Sequence, residues 1–355
     1  MTDAATPESP ADETSNGATT DAATPERTAD HTPGEPDDTP GEHAPTMGGR
    51  DKAPKGDRVP ATAAAPSGEP AALEAIISLQ GVTKRFGSHT VLEDITFDVP
   101  KGKITAIMGP SGTGKSVLLK NIIGLLKPDA GKIFVDGEQI VGMREKDLYR
   151  VRKKFGVLFQ DGALFGSMNL FDNIAFPLRE HTKKSEREVR DLVLQNAGLV
   201  GLLDHMKKTP GEVSGGMKKR AGLARALVMQ PEIVLFDEPD SGLDPVRVAY
   251  LDELVVKVQK EIGATFFIIT HNIPSVMRTA EYMGVLFRSG LVKFASKQEM
   301  LDTDNPIIRQ FLAGKAAGPI GMDEMATEQS DVEKELEQAA IARAGHAGAD
   351  EVMTV

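Results

Sequence analysis

The chain has 355 residues, 40% of them hydrophobic, with a formal net charge of −11 and no cysteine. Disulfides, thiolate chemistry and cysteine-ligated metal sites are therefore excluded. The charge is unevenly spread: residues 1–70 hold 14 acidic and 5 basic side chains, while the remaining 285 hold 38 and 36 and are nearly neutral, which gives no argument for nucleic-acid binding.

Residues 1–70 contain 11 of the 22 prolines and no Phe, Tyr or Trp. Such a stretch cannot bury enough apolar surface to offset its ordering entropy, so an acidic, Pro/Ala/Thr-rich disordered tail is expected over 1–72. Asp21-Ala-Ala-Thr-Pro-Glu26 echoes Asp3-Ala-Ala-Thr-Pro-Glu8 as low-complexity drift, not as a structural repeat. The N-terminus lacks the basic and apolar regions of a secretory signal, and no apolar run reaches the roughly 18–20 residues that span a bilayer. The expectation is a cytoplasmic protein that meets the inner face of a membrane only through a partner.

Order is expected from Leu73. Ile76–Val82 and Val91–Val99, joined through Gly87 and Ser88, alternate in the manner of an antiparallel β layer. Lys103–Met108 reads as a buried strand, followed by a glycine-rich turn and a helix over Ser116–Leu126. Ile133–Val135, Phe155–Phe159, Ile233–Phe236 and Thr265–Thr270 are further strands, the last two continuously apolar like parallel strands covered on both faces. Residues 185–230 read as mainly helical. Tyr282–Arg288 and Leu291–Phe294, joined at Ser289-Gly290, form a closing hairpin. The fold class is α/β: a mainly parallel core sheet, an N-terminal antiparallel β layer and a helical insert over about 161–230, all within 73–312. Residues 313–355 turn to Gly, Ala and acids, with a capping-box pattern at Ser330–Glu333. Val332, Leu336, Ala339 and Ala340 then share one face of a short helix, either solvated or docking a partner subunit.

Gly109, Pro110, Ser111, Gly112, Thr113, Gly114, Lys115 and Ser116 fit the phosphate-loop pattern G-x-x-x-x-G-K-[ST], between a strand and a helix as the mechanism requires. Backbone amides, Val117 among them, would converge on phosphate oxygens at a helix N-terminus carrying about half a positive charge. Lys115 would reach the β- and γ-phosphates of ATP, and Ser116 would ligate Mg²⁺. Ile233–Glu238 supplies four apolar residues ending in two carboxylates. Asp237 would hold Mg²⁺ and Glu238 would polarise the attacking water as general base.

With Val213-Ser-Gly-Gly-Met217 in hand, the chain over about 76–312 resembles the ABC (ATP-binding cassette) ATPases, whose signature is usually Leu-Ser-Gly-Gly-Gln. The other motifs stand in family order. Gln160 matches the Q-loop glutamine, Ser241-Gly-Leu-Asp244 the D-loop, His271 the switch histidine and Phe86 the adenine-stacking aromatic. The resemblance implies that Gln160 approaches the Mg²⁺ site and links it to the insert, and that His271 senses the γ-phosphate. It also implies that Ser214, Gly215 and Gly216, together with Asp244, close over the ATP held by a second copy, head to tail. Met217 in place of Gln should not cost activity, because Ser214 and the backbone carry the phosphate contact. Gly242 in place of the commoner Ala should loosen the D-loop turn.

A single cassette without a spanning segment implies a separate permease dimer. Leu158–Phe165, Phe176–His181 and Asp240–Arg247 look like the ATPases of Mla and Mce (mammalian cell entry) lipid transport systems, with their substrate-binding components as further partners. Leu164, Phe165 and Phe171 are then candidates for an apolar permease groove. The alternatives are an amino-acid or ion importer, or a non-transport ABC scaffold.

Overall fold

The computed structural model describes residues 73–321. The expected tail over 1–72 and the expected helix opening at Ser330 lie outside the described residues.

Strands β1 (Ala75–Phe86) and β2 (His89–Pro100) pair antiparallel across the Gly87-Ser88 turn. On the far side of β1 lie β4 (Ala130–Val135) and β5 (Glu138–Gln139), giving a four-stranded layer in the order β2-β1-β4-β5. The second sheet has six strands. These are β3 (Ile104–Met108), β6 (Phe155–Leu158), β7 (Ile233–Asp237), β8 (Thr265–Thr270), β9 (Tyr282–Phe287) and β10 (Gly290–Ser296), in the order β10-β9-β3-β8-β7-β6. Only the β9–β10 pair is antiparallel.

The period-two alternation of the central strands builds two cores. Ile233, Leu235, Phe267 and Ile269 face the β layer and helix α1 (Lys115–Ile122). Val234, Phe236, Phe266 and Ile268 face α5 (Gly215–Leu227), α6 (Pro245–Ile262) and the insert helices α3 (Leu170–His181) and α4 (Glu186–Leu199). This double burial is why β7 and β8 read as unbroken apolar runs. The carboxyl ends of parallel β6, β7, β8 and β3 come out along one edge, where ligands collect in such sheets.

Two details differ from the sequence reading, and a third needs a physical reason. The first helix stops at Ile122 instead of Leu126, and the chain turns at Gly124. The closing hairpin turns one residue early: Arg288 and Ser289 take φ 46° and 62°, and Gly290 already pairs with Phe287. Helix α3 forms in spite of Pro177. Its first turn is capped by Asn169, which accepts from the Asp172 amide at 2.8 Å, and the proline removes one ladder donor while the helix runs on to the Thr182–Leu178 bond.

Candidate functional site

The loop that leaves β3 packs so tightly that a Cβ at Gly109 would stand 2.4 Å from the Leu286 carbonyl oxygen. No other residue fits there. Gly114 is the N-cap of α1 and offers no side-chain cap, so the first amides of that helix stay available at its positive end. Thr113 Oγ1 donates to the Pro110 carbonyl at 2.9 Å and closes the loop on itself. Ser111 and Gly112 lie exposed at its mouth. Val117 turns its side chain into the core, so only its amide can serve the loop.

Lys115 is 5% exposed. Its Nζ donates to the Gly109 and Pro110 carbonyls at 3.0 and 2.9 Å and stands 4.0 Å from Glu238 Oε1. Burial pushes its pKa down, against the pull of Glu238 and Asp237. This is a cation held among neutral acceptors, ready for an anion. Ser116 Oγ donates to Asp237 Oδ1 at 3.2 Å. Burial pushes the Asp237 carboxyl up, and the Ser116 hydrogen bond opposes the shift. A half-desolvated carboxylate beside a hydroxyl, with no ammonium in contact, is a pair of hard oxygen donors that suits Mg²⁺.

Glu238 sits at φ 46°, a left-handed conformation unusual for a residue with a side chain. Its amide donates to the Ile269 carbonyl at 2.9 Å, which fixes the turn at the end of β7. Its carboxylate meets His271 Nδ1 at 3.2 Å. His271 stands just past β8 and is half exposed. Lys115, Ser116, Asp237, Glu238 and His271, read from three separate stretches of sequence, are thus one cluster.

Gln160 arrives by its backbone instead. Among the described residues its side chain makes no hydrogen bond to Ser116 or Asp237, and it is exposed. Its carbonyl accepts from Lys219 Nζ, which also donates to Ser241 Oγ at 3.0 Å. Phe86 closes β1, half-buried against the β-layer core, with the Lys84 ammonium 5.1 Å from its ring centre. Ser214 caps α5, accepting from the Met217 amide at 3.3 Å, and Ser214 and Gly215 are exposed with Gly216 beside them. No hydrogen bond or ion pair joins Ser214 to residues 109–117 among the described residues. Asp244 caps α6, accepting from the Val246 and Arg247 amides at 3.1 and 3.0 Å. Gly242 has φ 70° with open space around it, so the backbone conformation asks for glycine there, and the turn is specified rather than loosened.

Several side chains joined to the site escaped the sequence reading. Lys219 is one. Thr270 is another: its hydroxyl donates to the buried Asp240 carboxylate at 2.7 Å and accepts from the Asn272 amide at 3.0 Å. Lys219 lies within the basic run Lys218-Lys219-Arg220, and nothing in the sequence sets it apart from its charged neighbours. A separate groove of about 510 Å³ lies behind the Q-loop, lined by Phe159, Phe165, Phe176, Pro177, Tyr149 and Arg225 among others. Phe165 lines it, 42% exposed and 4.8 Å from the Phe176 ring. Leu164 and Phe171 pack on the core instead, so of the three candidates only Phe165 belongs to the groove.

Strand, phosphate loop and helix, with an acid pair at the end of a parallel strand one place removed in the same sheet, define a P-loop nucleoside triphosphatase. Known proteins narrow the class. The family profile described as "ABC transporter" matches residues 92–241, and one described as an AAA domain matches 207–278. A Mycobacterium tuberculosis (strain H37Rv) protein, "Probable ribonucleotide transport ATP-binding protein mkl", is 55% identical over 272 residues, 77% of this chain and 75% of its own. The Escherichia coli K12 "Intermembrane phospholipid transport system ATP-binding protein MlaF" is 41% identical over 245 residues, 69% of this chain and 91% of its own. Among solved structures, cbiO1 of Clostridium perfringens, part of the ABC transporter complex cbiONQ, aligns with TM-score 0.60 and 31% identity, over 64% of this chain and 90% of that one. The MJ0796 cassette, solved as a dimer bound to ADP and Pi, aligns with TM-score 0.57 and 28% identity over 62% and 98%. The chain belongs to the ABC transporter family, as an ATP-hydrolysing, ATP-binding subunit. Cassettes of this family form dimers and work with membrane permeases. Among the described residues no helix is long and apolar enough to cross a membrane.

Proposed function

We propose that this subunit energises a lipid transporter of the Mla/Mce type, and that the cluster at the ends of β3, β7 and β8 performs the hydrolysis. The observation that carries the catalytic part is the convergence of Lys115, Ser116, Asp237, Glu238 and His271. ATP phosphates take the place of the Gly109 and Pro110 carbonyls as acceptors for Lys115, and the amides of the loop from Ser111 to Val117 complete the cradle. Ser116 and Asp237 would hold Mg²⁺, which neutralises charge on the β- and γ-phosphate oxygens when bound. Gln160 joins them as its loop closes on the nucleotide. Glu238 accepts the proton of the attacking water, whose oxygen bonds to the γ-phosphorus as the bond to the ADP oxygen breaks. His271 holds Glu238 in place through Nδ1 and faces the γ-phosphate from the side. Phe86 stacks on the adenine.

The exposed Ser214–Gly216 turn is the second anion site, and it acts on the ATP of a second copy in a head-to-tail dimer, with Asp244 holding the D-loop between the two. The lipid reading is supported by the MlaF relative and by the apolar groove behind the Q-loop, which would receive a permease helix. A ribonucleotide substrate is the second reading, favoured by the name of the mycobacterial relative.

Co-purification of membrane subunits with the full chain, followed by mass spectrometry of bound small molecules, decides between the two. Phe165→Asp tests the groove. With 42% of its roughly 200 Å² exposed, Phe165 contributes about 80 Å² to the contact, or ~2 kcal/mol, more than tenfold in complex formation. ATP binding should not change. Co-purification of an amino-acid permease, or of bound ribonucleotide without lipid, overturns the substrate class. Equal recovery with the variant removes Phe165 from the contact.

A further inference from the structure

Lys219 is a lysine that an ordinary core would not hold. It is 4% exposed, and among the described residues no carboxylate touches it. Its Nζ donates to three neutral oxygens: the Gln160 carbonyl, Ser241 Oγ at 3.0 Å and, at 3.5 Å, the Glu238 carbonyl. These belong to two loops, the one after β6 that carries Gln160 and the one after β7 that carries Glu238 and Ser241. Burial pushes its pKa down, with Asp161, Asp240 and Glu238 opposing from a distance. A buried cation satisfied by main-chain oxygens is costly unless its placement is used.

The use follows from what it holds. Glu238 lies in the left-handed region at φ 46°, and a side-chain-bearing residue stays there only when its neighbours over-determine it. The Ile269 carbonyl fixes its amide, and its own carbonyl is shared by the Ser241 amide and Lys219. On the other side, α5 grips the Q-loop along its length. Arg225 donates to the Gly162 and Ala163 carbonyls at 2.8 and 2.7 Å. Gly222 lies so close that a Cβ there would stand 2.7 Å from Leu158 Cδ1 and 3.1 Å from Gly162 Cα. Residues 158–163 and α5 therefore move as one body. That body carries Phe159 and Arg225 in the groove at one end, and Lys219 against the main chain of Glu238 nearer the other.

We propose that Lys219 is a positioning residue for hydrolysis, pinning the Gln160 carbonyl, the Glu238 main chain and the Ser241 hydroxyl together, so that a displacement of the groove shifts the carboxylate. The proposal rests on Glu238 being the base, as assigned above. It concerns main-chain positions and makes no contact with ATP.

The test uses the full chain, alone and purified with its membrane subunits. Lys219→Met keeps the stem and removes the charge and the donors. Its kcat for ATP should fall tenfold or more while KM and the affinity for a non-hydrolysable ATP analogue stay within about threefold. Lys219→Arg, which keeps a donor and a charge, should recover part of the loss. In the membrane complex, stimulation of ATPase activity should be lost with Lys219→Met. A wild-type kcat, or a parallel loss of kcat, affinity and melting temperature, would overturn the proposal. Should Lys219→Met not fold, Ser241→Ala reads the same link from the acceptor's side: a severalfold fall of kcat at unchanged affinity supports it, and an unchanged kcat overturns it. Glu238→Gln measured alongside separates the two failures: lost turnover there beside a wild-type kcat in Lys219→Met overturns the link alone, whereas normal turnover there overturns the base assignment and this proposal with it.

Discussion

Glu238→Gln removes a proton acceptor and little else. Glutamine has the same length and branching, so the backbone at φ 46° is no more strained than before, and its carbonyl can still accept from His271 Nδ1 across the same 3.2 Å. General-base catalysis is worth about 10²–10⁴-fold, or roughly 2.7–5.5 kcal/mol, and that is the expected loss in kcat. Nucleotide-free protein should also lose stability. Lys115 Nζ is 4.0 Å from the carboxylate, a bare attraction of ~4 kcal/mol at an effective dielectric constant of about 20. The Gly109 and Pro110 carbonyls still hold the ammonium, so a net loss of about 1–2 kcal/mol is expected, or about 2–8 °C in melting temperature. ATP reverses this. Its phosphates supply Lys115 with the missing charge, and ligand at about a hundred times Kd adds ~2.7 kcal/mol. The variant should melt below wild type without nucleotide and at or above it with ATP, while light scattering shows an ATP-stabilised dimer. Coupled-enzyme turnover near the wild-type rate would refute the assignment of the base. Loss of ATP binding would show that the carboxylate holds nucleotide.

The catalytic cluster was legible because each of its members follows a strand that sequence pattern alone defines. Buried strands announce themselves as apolar runs, and the loop after a parallel strand has one place to go, so Lys115, Asp237 and His271 had to meet once β3, β7 and β8 were adjacent. The antiparallel β layer and the closing hairpin were legible for the same reason, short of a one-residue slip at Arg288-Ser289, where two side-chain-bearing residues adopt the conformation expected of glycine. Helices were read less well. Helix α3 contains Pro177, which masks its periodicity, and the 18-residue α6, opened by Asp244 and Pro245, was not singled out. Its apolar stripe of Val248, Leu251, Val255 and Val258 is narrow and interrupted by the buried Asp252, whose partners Ser275 and Arg278 are more than 20 residues away. The same blindness hid Lys219 and the Asp240–Thr270 pair. Sequence spacing reveals residues that share a loop or a face, whereas these act through main-chain carbonyls and hydroxyls on elements that only the fold brings together. Gln160 shows the converse: its motif singled it out for its side chain, yet in this structure its carbonyl is the part that is engaged.

Two further perturbations probe the same arrangement. Mixing Lys115→Ala with Ser214→Arg subunits should restore part of the ATPase activity that each lacks, because a mixed dimer keeps one site with both an intact phosphate loop and an intact signature. No recovery in well-mixed dimers would place the whole site within one chain. Thr270→Val tests how the D-loop is tied to the strand that carries His271. The Thr270 side chain is fully buried, and one hydroxyl donates to Asp240 at 2.7 Å while accepting from the Asn272 amide at 3.0 Å. Valine fills the same space but leaves a buried carboxylate short of a donor and a half-buried amide short of an acceptor. Losing a hydrogen bond to a charge costs about 1.5–3 kcal/mol and the orphaned amide a further ~1 kcal/mol, so a fall of roughly 3 kcal/mol, or about 6–12 °C, is expected in a thermal melt. The pairing itself is measured by a double-mutant cycle with Asp240→Leu. If the carboxylate is costly because the hydroxyl is gone, removing it from the Thr270→Val protein should recover stability, with a coupling of at least about 1 kcal/mol. Strictly additive effects would mean that the two side chains are neighbours without being partners, and that the D-loop is held by its Asp244 cap, its Gly242 turn and the Lys219–Ser241 bond without help from Thr270.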